Sequence, residues 1–71
     1  MKVNIKAVNH LIDTHFRGNK TWFAEEIGID RAYLTRILNG KEIDYSPKCI
    51  RCLTAYCESN NLNYKDYIIL P

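Results

Sequence analysis

Thr21–Gly40 reads TWFAEEIGIDRAYLTRILNG. Phe23, Ala24 and Ile27 share one helical face, which predicts a short helix over about Lys20–Ile27 with Asn19 or Lys20 at its start. Gly28 interrupts it at a point where the backbone must take a conformation most side chains resist. Asp30 is a good N-cap, so a second helix is expected over Arg31–Leu38, closed by Asn39-Gly40, a pair that tolerates positive φ. Ala24 is small enough for the next helix to cross close over the first. Ile29 fills the gap between them, and Leu34 and Ile37 anchor the second helix. Around the helical wheel, Leu34, Ile37 and Leu38 fall on one side. Ala32 and Arg36 lie nearly opposite, with Tyr33 and Thr35 on the flanks. The outward face is therefore small, hydroxylic and cationic.

Outward from this stretch, the pattern stays helical. Ile5, Val8, Leu11 and Ile12 recur at helical spacing over Asn4–Phe16, with Asn4 able to cap the start and Arg17-Gly18-Asn19 to end it. After a loop at Lys41–Tyr45, Ser46-Pro47 reads as N-cap and first residue of a fourth helix over about Pro47–Glu58. Asn60–Asn63 is a turn, and a last helix is expected over about Tyr64–Ile69. The fold expected is all-α, a compact bundle of about five short helices with no strand, in a single domain spanning residues 1–71. Such a chain is near the lower size limit for folding without a disulfide or a metal.

Net charge is only +2, so a polyanion partner would need local positive charge. No apolar signal segment precedes the three cysteines, and no run approaches the roughly 20 apolar residues of a membrane span. A cytoplasmic protein with reduced thiols and no membrane contact is the expectation.

Two short helices joined by a tight turn are the unit that sets one helix into the DNA major groove. FAEEIGIDRAYLTRILNG resembles the helix-turn-helix of the lambda-repressor-like proteins (Cro and repressor type, XRE family), which include phage repressors and many small bacterial regulators. The resemblance rests on Phe23-Ala24, Gly28, the cap Asp30 and the run Leu34-Thr35-Arg36-Ile37-Leu38-Asn39-Gly40. It is strongest over Lys20–Gly40. There are three departures. Leu38 stands where the family usually has glutamate. Asp30 replaces a neutral cap. The Lys41–Tyr45 loop is a residue or two longer than common forms.

Site residues follow from that resemblance. Arg31, Ala32 and Thr35 match positions that face bases, and Arg36 one that reaches bases or phosphates. An arginine can bridge guanine O6 and N7, and an alanine can touch a thymine methyl. Asp30 repels phosphate but can accept from a cytosine amino group. Tyr33 either meets DNA or covers the first helix. Lys20, at a helix start where free N–H groups favour a phosphate, joins Asn39, Lys41 and Lys48 as expected phosphate contacts. The implied partner is a double-stranded DNA operator, bound by a homodimer in a nucleoid-associated setting. Tyr64, Tyr67, Ile68, Ile69 and Leu70 either form the dimer contact or close the monomer core.

Each feature also has a plainer reading. Arg31 and Arg36 can form a solvated helix face, and Trp22 reads as a partly buried packing residue rather than a base stacker. Cys49-Ile50-Arg51-Cys52 is a CxxC, and Cys57, His10 and His15 can be imagined as further ligands. A structural zinc site, however, shows two paired clusters at loop spacing. These cysteines fall inside a helical pattern and read as small apolar fillers. His10, Asp13 and His15 lack a nucleophile in a recognisable setting, and no glycine-rich phosphate loop exists. No enzyme activity, cofactor or metal is expected.

Two functions are carried forward. One is a small sequence-specific transcriptional regulator of phage, prophage or mobile-element type, with no room for an effector domain. The other is a protein-interaction module, for example an antitoxin, which keeps the fold while DNA binding is lost or secondary. The low net charge and Asp30 support the second.

Overall fold

Four short helices make up most of the chain in the computed structural model, which describes residues 1–71. In chain order they are α1 (Ile5–His15), α2 (Lys20–Ile27), α3 (Arg31–Leu38) and α4 (Pro47–Ser59). The helix starts follow the capping chemistry of the sequence. Asn4, Asn19 and Asp30 each accept a hydrogen bond from the backbone N–H three residues on, at 3.2, 3.0 and 3.1 Å. Ser46 occupies the cap position of α4 without making that bond, so Pro47 alone defines this start.

The helix ends are equally local. Gly28 sits in the left-handed region at φ 82°, and Ile29 N–H reaches back to the Ala24 carbonyl at 3.0 Å. Gly40, at φ 74°, completes a Schellman closure of α3. Its N–H donates to Ile37 O at 3.1 Å and Lys41 N–H donates to Arg36 O at 2.8 Å.

The expected fifth helix is not there, and neither is the expected absence of strands. Tyr64–Asp66 forms a single 3-10 turn. Beyond it, β2 (Ile68–Ile69) pairs antiparallel with β1 (Lys2–Val3), Val3 opposite Ile68. The reason is tertiary. Val3 and Ile68 are both core residues, and extended backbone at each chain end lets them meet while satisfying main-chain groups. Asn4 N–H donating to Tyr67 O at 2.9 Å and Val3 N–H donating to Asp44 O at 2.6 Å extend that tie.

One cluster of fifteen buried residues unites α1–α4 with both strands. Phe23, Ile37, Ile12 and Leu53 lie at its centre. Phe16 meets Phe23 edge-on, with ring centroids 5.1 Å apart, and Tyr56 packs on both. The radius of gyration is 10.8 Å, against roughly 11 Å for a compact chain of this length. No polar or charged residue is buried. No helix is long and apolar enough to cross a membrane.

Candidate functional site

The solvent face of α3 holds most of the residues singled out by the sequence. Leu34, Ile37 and Leu38 are buried, which leaves Arg31, Ala32 and Arg36 exposed and Tyr33 and Thr35 half-buried on the flanks. Leu38 is a core residue at 7% exposure.

Thr35 differs from Thr14 and Thr54, and resembles Thr21 of α2, whose hydroxyl is also without a partner in the chain. Thr14 and Thr54 return their hydroxyls to the carbonyls four residues back, at 2.9 and 2.8 Å. The Thr35 hydroxyl has no hydrogen-bond partner within the chain and is available to an outside group.

Two residues are already engaged. Asp30 Oδ2 accepts from Tyr33 N–H, so this carboxylate stabilises the start of α3, and its Oδ1 has no partner within the chain. Arg36 Nε lies 3.5 Å from Glu42 Oε2, and its guanidinium carbon is 5.9 Å from the centre of the Tyr33 ring. Glu42 Oε1 accepts from Ile43 N–H at 3.3 Å, so each oxygen of this carboxylate has its own partner. Tyr33 therefore packs on the core and supports Arg36 as well.

Glu42 is the residue that sequence reasoning missed. It stands six positions after Arg36, a spacing that places nothing together along a helix. The left-handed Gly40 folds the chain back over the end of α3 and closes that gap. Opposite charges flanking a Schellman glycine are the signal from which the pair follows.

The remaining candidates are dispersed. Asn39 and Lys41 are exposed at the C-terminal end of α3. Lys20 is half-buried in the first turn of α2. Lys48 is exposed on α4 and makes no hydrogen bond or ion pair with α3. Over residues 20–48, the cations Lys20, Arg31, Arg36, Lys41 and Lys48 are matched in number by Glu25, Glu26, Asp30, Glu42 and Asp44. The net positive charge of the chain thus comes from outside this segment.

No protein-family profile, curated protein or solved structure matches this chain. The site is therefore judged on its own geometry. A guanidinium, a methyl and a free hydroxyl follow one another on a rigid, doubly capped helix. They can donate to paired acceptors, touch an apolar group and bond a further polar edge.

The cysteines occupy a different place. Cys49 and Cys57 are buried and Cys52 is half-buried, all as free thiols on α4. Burial pushes the Cys49 thiol up from 9.0 to about 11, with Cys52 adding to the shift. Burial likewise raises Cys57, with a further push from Asp66. Cys49 and Cys57 therefore stay protonated at neutral pH. Trp22 is half-exposed, its ring edge-on to Phe16 at 4.9 Å.

Proposed function

We propose that the chain is a lambda-repressor-like helix-turn-helix module, a small sequence-specific regulator that sets α3 into the DNA major groove. The observation that carries this reading is the outward side of α3. Arg31, Ala32 and Thr35 are free to meet base edges, while Leu34, Ile37 and Leu38 lock the opposite side into the core. The three-residue connection Gly28–Asp30 between the two helices supports it, as a turn of the length that such units use.

Arg31 is the principal reader in this account, because it is exposed and has no partner. Bidentate bonding to a guanine would discriminate by about 1–3 kcal/mol against other bases. Ala32 supplies apolar contact and Thr35 a hydroxyl. Arg36 approaches as a guanidinium held from one side by Glu42 and faced by Tyr33. Lys20, Asn39 and Lys41 grip phosphates on either side.

Selection of bound sequences from a random duplex pool tests this. Enrichment of a defined motif is expected, with binding that weakens steeply as salt rises because phosphate contacts release counterions. Recovery of no preferred sequence would contradict it.

A second reading is an interaction module in which DNA binding is secondary. The balance of charges over residues 20–48 and the Arg36–Glu42 pair favour it. Under that reading, salt would change DNA binding little above background, and one stoichiometric protein partner would occupy the face of α3.

A further inference from the structure

Away from α3, the two chain ends and the loop after α3 leave apolar side chains uncovered. Met1, Tyr45, Ile69 and Leu70 are 64, 60, 43 and 43% exposed. They do not stand singly. A groove of about 580 Å³ runs between Met1, Tyr45, Pro47 and Ile50, with Arg51 at its wall. A second, of about 260 Å³, shares Met1 and Tyr45 and continues between Ile69 and Leu70, with Lys2 at its wall.

The walls are fixed by main chain. Val3 N–H donates to Asp44 O, joining β1 to the loop that carries Tyr45, and β1 is paired to β2. Pro47 and Ile50 stand on α4. A groove whose walls are already tied costs little further ordering when it is filled.

The lining chemistry indicates the occupant. The charged side chains that line the two grooves are cations, Arg51 in the larger and Lys2 in the smaller, where the main-chain ends at Met1 and Pro71 also stand. The nearest carboxylate in sequence, Asp44, is half-buried and lines neither. A two-fold-related second copy would bring the same Arg51 groove, which no carboxylate lines, to a self-complementary interface and leave Arg51 unanswered. A nucleic acid would find phosphate partners at two cations but nothing for the apolar floor. We infer that the Tyr45 grooves are a docking surface for a partner protein segment with a large apolar or aromatic anchor flanked by acidic residues. Tyr45, Pro47 and Ile50 take the anchor, and Arg51 and Lys2 pair the flanking carboxylates.

A random peptide pool displayed on phage and selected against the whole chain tests the assignment, followed by titration of the enriched peptides into the labelled protein. The expected result is an acidic–apolar motif whose binding shifts resonances of Tyr45, Ile50 and Arg51. Arg51→Glu and Tyr45→Ala, both at exposed positions, should each weaken that peptide by roughly tenfold or more while leaving the thermal transition in place. No enrichment, a basic or uncharged motif, shifts confined to α3, or equal binding by Arg51→Glu would each overturn it. So would self-association of the free chain that Tyr45→Ala abolishes. The α3 face takes no part in this surface, so failure here leaves the DNA reading as it stands.

Discussion

The segment from Asn19 to Lys41 and the two chain ends are held by opposite means. In the first, every helix start and end is closed by residues within six positions. Asn19 and Asp30 cap the starts, and Gly28 and Gly40 form the ends. In the second, the closure spans almost the whole chain, since Lys2–Val3 pairs with Ile68–Ile69. Both regions lean on α4, which packs against α2 and also against β1 and the 3-10 turn. Local closure gives a rigid face. Long-range closure gives a seam, and the uncovered apolar grooves lie along that seam.

Core truncations give the largest expected effect and ask whether the two regions are one cooperative unit. Phe23→Ala removes a fully buried ring and should cost about 3–5 kcal/mol. Ile68→Ala, at the seam, should cost about 2–5 kcal/mol. Both residues belong to the same buried cluster, so urea unfolding of either variant should remain a single transition. A separate early loss of the seam in Ile68→Ala, with α2 and α3 intact, would break the comparison.

Next is Gly28. A Cβ built there meets nothing within 4 Å, so the cost of a side chain is conformational and not steric. Left-handed backbone costs roughly 1–2 kcal/mol for an ordinary residue, so Gly28→Val should fall at or above the top of that range and Gly28→Asn well below it. Equal losses for the two would mean that packing decides this turn.

A shallower effect is expected from alkali. The Cys49 thiol ionises near 9 when unfolded and near 11 when folded, so between those values the folded state holds more protons. Stability should be level through neutral pH and fall as pH rises from about 9 to about 11. Tyr56 and Tyr67, whose hydroxyls burial also raises, act in the same direction. Because α4 serves both regions, amide exchange should accelerate in both together over this range.

The smallest effect on stability belongs to Glu42→Gln, which loses an exposed ion pair worth less than about 1 kcal/mol. Its effect on binding separates the two functional readings. If α3 meets DNA, removing this carboxylate should raise affinity for any duplex while weakening the preference at the base Arg36 approaches. If α3 meets protein, duplex affinity should stay unchanged.

The sequence makes the local region legible because its determinants are adjacent. Asn19, Gly28, Asp30 and Gly40 mark the helix boundaries, and the 3.6-residue period sorts Leu34, Ile37 and Leu38 from Arg31, Ala32 and Arg36. The seam is not legible in the same way. Tyr64–Ile69 carries enough apolar residues to suggest a helix, and only the meeting of Val3 with Ile68 makes an extended backbone the better solution. Two-residue strands have no period to read. The C-terminal apolar run also divides, with Ile68 in the core and Ile69 and Leu70 exposed. Within the site, the positions on α3 were readable from the wheel. The Arg36–Glu42 pair was not, because it depends on the chain reversing at Gly40.

The central claim is that α3 reads bases chiefly through Arg31. Competition binding of the wild-type chain and Arg31→Ala, each against the selected duplex and a shuffled one across a salt series, tests it most directly. The account predicts an unchanged melting temperature and a specificity ratio lowered by roughly fivefold to over a hundredfold, since a lost bidentate contact removes about 1–3 kcal/mol of discrimination. A specificity ratio that Arg31→Ala leaves intact would contradict it.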